Sequence, residues 1–146
     1  MINANSSHGF CGCKKFKIEK QYFSYFVPRM AQELPKTNLI TLFLLLIGKR
    51  QRFKVVGRSM LPLLKPKEEI LIDPWAYRKH KPQINDVILT NHPYDDRLKI
   101  VKRVVWVADD DSYFLLGDNL EASTDSRHWG RIDRQKIVGR VTNRFI

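Results

Sequence analysis

Leu98-Lys99-Ile100-Val101-Lys102-Arg103-Val104-Val105-Trp106 decides the fold class. The run is rich in β-branched residues and holds neither glycine nor proline, so it reads as one long strand over residues 98–107. Side chains alternate across a strand. Ile100, Lys102, Val104 and Trp106 therefore share one face, while Lys99, Val101, Arg103 and Val105 share the other. This places Lys102 among apolar neighbours and points Arg103 away from it. An amine on an apolar face loses solvation, which favours its neutral form. A neutral amine can take a proton from a hydroxyl, whereas a charged one cannot. The same pattern also fits a lysine that snorkels to water at a sheet margin.

Outward from this strand the chain offers shorter ones. Residues 53–56, 69–72 and 86–90 come before it, the second closed by Asp73-Pro74 and the third by Asn91-His92-Pro93. Residues 112–116 and 137–145 come after. Asp109-Asp110-Asp111 reads as a hairpin tip, and the connections carry Pro, Asn, Asp or Gly. Strands at this spacing predict a mainly β domain, a compact and mostly antiparallel sheet. Ahead of it lies Leu39-Ile40-Thr41-Leu42-Phe43-Leu44-Leu45-Leu46-Ile47. Thr37 or Asn38 can cap this segment as a helix, Gly48 can end it, and Lys49 and Arg50 suit a helix C-terminus. It is apolar all round, unlike an ordinary surface helix. Its length covers roughly half of a ~30 Å hydrocarbon core, too little to span a bilayer alone. Packing against the domain is the expectation. The alternative is a helix dipped into a membrane face, with Lys49, Arg50 and Arg52 meeting head groups.

The expected organisation is a loosely organised tail over residues 1–35, a short apolar helix over 36–50 and a β-rich domain over 51–146. Met30 is a candidate initiator within the tail. The chain of 146 residues carries a net charge of +11, which favours anionic partners: acidic protein segments, anionic lipid or nucleic acid. Its two cysteines, Cys11 and Cys13, give no disulfide scaffold and fit a reducing compartment. His8, Cys11 and Cys13 fall short of a full ligand set, and no His-Glu-x-x-His occurs, so neither metal nor cofactor is expected.

Two further stretches carry polar groups suited to chemistry. In Val55-Val56-Gly57-Arg58-Ser59-Met60-Leu61-Pro62 a strand ends at a glycine free to adopt a sharp or positive-φ turn. Pro62 restrains the far side of that turn, so the Ser59 hydroxyl is held at a strand end. In Gly117-Asp118-Asn119-Leu120-Glu121-Ala122-Ser123-Thr124-Asp125-Ser126-Arg127, Asp125 and Arg127 can pair bidentately, and Ser123 can hydrogen-bond a nearby amine. Each stretch alone also reads as an ordinary turn or polar loop.

Together, and in this order, the three stretches resemble the signal peptidase I family of serine proteases. Ser59-Met60-Leu61-Pro62-Leu63-Leu64 resembles its nucleophile box, Lys102-Arg103 its Lys-Arg box, and Gly117 to Arg127 its Gly-Asp-Asn…Ser-x-Asp-Ser-Arg box. The resemblance implies a signal-peptidase- or LexA-like fold, with Ser59 as nucleophile and Lys102 as general base. Ser123 would orient the lysine amine, while Asp125, Arg127, Asp118 and Asn119 would support the site. The Ser59 N–H is the natural first oxyanion donor. Some members add a hydroxyl two residues before the nucleophile, where this chain has Gly57. Leu63 departs from the family's usual threonine, and the segment between Arg103 and Gly117 leaves no room for the large extra domain of many bacterial members. This small form is similar to the branch that matures nickel-type superoxide dismutase. That similarity implies removal of an N-terminal propeptide from a precursor, by a protein that is cytoplasmic or peripherally bound to a membrane. Competing readings are a membrane-anchored leader peptidase, a self-cleaving LexA-like protein and a basic nucleic-acid-binding barrel. The aromatics lack the spacing of a stacking platform, so nucleic acid is not an expected partner.

Overall fold

Each strand runs antiparallel to its neighbours, and the last one inserts between the second and the third. β1 (Gln51–Lys54), β2 (Glu69–Asp73), β3 (Val87–His92), β4 (Asp95–Val107), β5 (Ser112–Leu116), β6 (Ile132–Asp133) and β7 (Ile137–Phe145) form a seven-stranded sheet in the order β1-β2-β7-β3-β4-β5-β6. The computed structural model describes residues 33–145. The tail, with His8, Cys11, Cys13 and Met30, lies outside the described residues.

Strand β4 is longer than the sequence pattern indicates, because its hairpin with β3 extends to the pairing of His92 with Asp95. Its register sets the faces. Lys102 stands opposite Ile88, and Arg103 opposite Val87. Ile88 and Val104 belong to a core with Tyr113, Leu115, Trp129 and Ile132, against which Ile100 packs. Val87 and Leu89 belong to a second core with Val55, Met60, Leu63, Leu64, Ile70, Ile72 and Val141, against which Val101 packs. The middle of the sheet is therefore covered on both faces, and β3 reads as a continuous apolar run for that reason.

The alternation expected for β4 fails at its far end. The register with β5 shifts between Val104 and Trp106, so an extra residue is accommodated there. Beyond the bulge it is Val107 that packs on the Val104 face, while Trp106 turns outward. Arg103 also departs from expectation. It does lie across the strand from Lys102, but that face is covered too, and Arg103 is only 1% exposed. Its Nε and Nη2 donate to Asp118 Oδ1 and Oδ2 at 2.8 and 2.7 Å, and its Nη1 donates to the Asn85 carbonyl at 3.0 Å. This bidentate pair ties the central strand to the loop after β5. Removing one charge from a buried pair leaves the other uncompensated, at a cost of about 3–5 kcal/mol. Asp118→Asn is accordingly expected to lower the urea midpoint sharply, whereas Asp109→Asn, at an exposed position, should leave it nearly unchanged.

Helix α1 (Leu39–Leu46) forms where the sequence puts it. Asn38 caps it through its side chain, Thr41 returns the bond to complete a capping box, and Gly48 follows with φ +73°. Its environment is the correction. None of its residues is buried: Leu39 is 84% and Phe43 59% exposed. The helix is not buried against the domain as expected: only Thr41, Leu44 and Leu45 are half-buried. Among the described residues no helix is long and apolar enough to cross a membrane.

Candidate active site

The chain leaves β1 through Val55, which is buried, and re-enters the core at Met60, Leu63 and Leu64. These anchors bracket an exposed Val56-Gly57-Arg58 and a half-buried Ser59. The Leu61–Pro62 peptide is cis. Ser59 is fixed from the main-chain side: its carbonyl accepts the Asn119 N–H at 2.9 Å. Asn119 in turn caps a short 3-10 turn, Leu120–Ala122, through its side chain. Among the described residues, the Ser59 hydroxyl and the Ser59 N–H make no hydrogen bond of their own. Both are thus uncommitted.

Lys102 is 4% exposed, and its Nζ donates to Ser123 Oγ at 3.0 Å. Ser123 Oγ donates to Asp125 Oδ2 at 2.7 Å. The same Asp125 oxygen accepts the Gly117 N–H at 3.1 Å. Arg127 clamps the carboxylate, with Nε on Oδ1 at 2.8 Å and Nη2 on Oδ2 at 3.0 Å, and its Nη2 also donates to the carbonyls of Leu120 and Ser123. Asp125 is the N-cap of the short helix α2 (Ser126–Trp129), and Ser126 Oγ accepts the Leu115 N–H at 2.9 Å. The polar loop is thus stitched to the end of β5.

Gly117 is the hinge between the serine and the lysine. A Cβ at this position would sit 2.3 Å from Ser123 Oγ and 2.5 Å from the Ser59 carbonyl oxygen. The Ser59 main-chain carbonyl and the partner of Lys102 therefore face each other across a gap that only a hydrogen atom fills. The sequence motif names Gly117 without indicating this role. Gly57 shows the opposite. It lacks the positive φ allowed for in the sequence, and nothing lies within 4 Å of where its Cβ would be. Neither backbone nor packing requires a glycine there. Gly57→Ser should fold normally. If its hydroxyl reaches the developing oxyanion, kcat rises, by up to the roughly 10²–10³ that one such donor is worth; steady-state kinetics beside a thermal melt checks both halves.

Electrostatics follow from burial. Loss of solvation lowers the Lys102 pKa from its ordinary 10.5; the Asp125 carboxylate opposes this, Arg127 adds to it, and Asp118 opposes it. For Asp125, burial pushes upward, but the hydrogen bonds from Arg127, Ser123 and Gly117 outweigh it and hold the carboxyl below its ordinary 3.8. The site thus combines a fixed anion, a hydroxyl relay and an amine biased towards neutrality. If that neutral amine is the base, kcat/KM must rise with pH through the Lys102 pKa. The midpoint of the rise should lie below pH 10.5, since the shift is downward. A pH–rate profile checks both sign and window.

The class that this fold and its relatives define is a serine-type endopeptidase. The family model described as signal peptidase, peptidase S26, matches residues 34–111 and 106–146, and the chain belongs to that family. It is 29% identical over 131 residues to a mitochondrial ATP-independent inner membrane protease subunit 1a of Arabidopsis thaliana, covering 71% of this chain and 78% of the relative. A probable signal peptidase I-1 of Synechocystis is 25% identical over 130 residues, covering 60% of this chain and 66% of the relative. A signal peptidase I of Leptolyngbya laminosa is 25% identical over 136 residues, covering 62% and 66%. Against the last two the chain spans just under two thirds of the relative's length.

Proposed function

We propose that the chain cleaves precursor proteins near their N-termini, with Ser59 as nucleophile and Lys102 as general base. The observation that carries this reading is the buried relay Lys102–Ser123–Asp125, which meets the Ser59 carbonyl across Gly117. Ser123, by accepting from Lys102 Nζ, leaves the amine lone pair free for the Ser59 proton. Ser59 Oγ then attacks the scissile carbonyl carbon, and the carbonyl electron pair moves to the oxygen, towards the Ser59 N–H. As the tetrahedral centre collapses, the C–N bond breaks and the Lys102 ammonium returns its proton to the departing amine. Water, deprotonated by the same amine, adds to the acyl carbon; collapse breaks the ester and the proton returns to Ser59. Asp118 and Arg103 support the loop from beneath, and Asn119 holds the serine's main chain.

Two substrates compete. The short Gly117–Arg127 box resembles the nickel superoxide dismutase maturation branch and implies a dismutase propeptide. The exposed helix α1 favours the second, leader peptides presented at a membrane. Burying one large apolar side chain gains about 1.5–3 kcal/mol, and α1 offers Leu39, Ile40, Phe43 and Leu46 to any apolar medium. Exposed Lys49, just after the helix, suits anionic head groups, whereas Arg52 is already paired with Glu69. Incubating the protein with a dismutase precursor and with an exported precursor, with and without vesicles containing anionic lipid, and sequencing the new N-termini tests both. Cleavage of neither precursor under any condition would overturn the proposal.

A further inference from the structure

His128 takes no part in the proposed chemistry, yet it holds the residue on which the lysine relay ends. It occupies the third position of helix α2, and its Nδ1 accepts the Asp125 N–H at 3.3 Å, completing a capping box in which the Asp125 side chain caps the same turn. Glutamate or glutamine is the usual residue for this task, because either offers a permanent acceptor. An imidazole accepts at Nδ1 only while that nitrogen keeps its lone pair. Protonated, it becomes a donor on both sides and loses the bond.

We infer that His128 is a positioning residue for Lys102: its neutral imidazole fixes the Asp125 main chain and so the carboxylate that orients Ser123 and, through it, the lysine amine. The inference rests on the reading of Lys102 as the base. The connection is short. Arg127 holds the Asp125 side chain from the Oδ1 side, and His128 holds the backbone of the same residue. Protonation converts His128 from acceptor to a cation 4.0 Å from Asp125 Oδ1, where it competes with Arg127 for that oxygen. The charged groups that act on the lysine are Asp125 and Arg127 on this turn and Asp118 from the preceding loop. On the other side of the helix, Trp129 meets the His92 ring edge-on at 6.3 Å, so His92 is a second imidazole that any test must separate. Loss of the His128 acceptor therefore loosens the carboxylate that orients the lysine's hydroxyl partner.

The test follows the Lys102 13Cε resonance of the full-length protein against pH, assigned by comparison with Lys102→Met, beside the His128 ring signals. His128→Ala should move the lysine midpoint upward, towards that of an ordinary lysine, because the loosened turn admits water. His128→Gln supplies a permanent acceptor and should hold the midpoint at that of the wild type. His92→Gln should leave it unchanged. A midpoint unaltered in His128→Ala, or shifted as far in His128→Gln as in His128→Ala, overturns the inference. Neither reading needs a substrate, so failure here leaves the Ser59 assignment to be judged by its own variants.

Discussion

Ser59→Ala, Lys102→Ala and Lys102→Arg are each expected to abolish precursor cleavage while leaving the sheet intact. A serine without its hydroxyl has nothing to acylate, and an arginine does not deprotonate within a protein's working range. The discriminating companion is Lys102→Met. The buried amine has a lowered pKa, so between that pKa and 10.5 the unfolded chain binds more protons than the folded one. Linkage then makes wild-type stability rise with pH through this window, and the penalty is fully present below it. Methionine carries no charge and similar bulk, and Ser123 Oγ keeps its bond to Asp125. Lys102→Met should therefore be inactive yet at least as stable as wild type, with the largest gain at low pH. Denaturation of Lys102→Met and wild type at two pH values, beside a cleavage assay, reads both. Full activity in Lys102→Arg would remove the amine from the mechanism.

Gly117→Ala is expected to cost nearly as much activity without touching any reacting atom. Its methyl would enter the gap between Ser123 Oγ and the Ser59 carbonyl at distances that no Cβ tolerates. The Ser123 rotamer could yield, but the Ser59 carbonyl is backbone and is tied to Asn119. Something must move by about an ångström, and displacement of that size costs roughly 10²-fold in rate. Overpacking of this kind costs about 1–3 kcal/mol of stability as well. Adding Ser123→Ala removes only the Oγ clash and leaves those with Ser123 Cβ and the Ser59 carbonyl, so the double variant should not recover. A Gly117→Ala protein with near-normal kcat/KM would show that serine and lysine do not meet across this residue.

Particular residues show where reading the sequence reached its limit. β4 was legible because alternation is a property of the strand itself, and Lys102 on the Ile100–Val104 face follows from it. Trp106 was misplaced by a bulge, an insertion into the pairing that β5 imposes and that β4 alone does not encode. Arg103 was expected to point away, which it does. Its burial depends on Asp118 arriving from a loop distant in sequence and on a second core that covers that face. Helix α1 was legible down to its cap because caps are local, whereas its environment depends on what the rest of the chain leaves uncovered. Gly57 and Gly117 look alike in the sequence. Only the atoms around them separate a glycine that is needed from one that is not. His128 gave no signal at all, since its role rests on a hydrogen bond that the usual Glu or Gln pattern does not predict.

The central claim is that an uncharged Lys102 amine removes the Ser59 proton. The most direct measurement sets the midpoint of the Lys102 13Cε titration in the free protein beside the ascending midpoint of kcat/KM, which reports groups of the free enzyme. The account predicts that the two coincide, below 10.5, and that the ascending limb disappears in Lys102→Met because no activity remains. A Lys102 that stays charged throughout the range where cleavage is already at its maximum would contradict it.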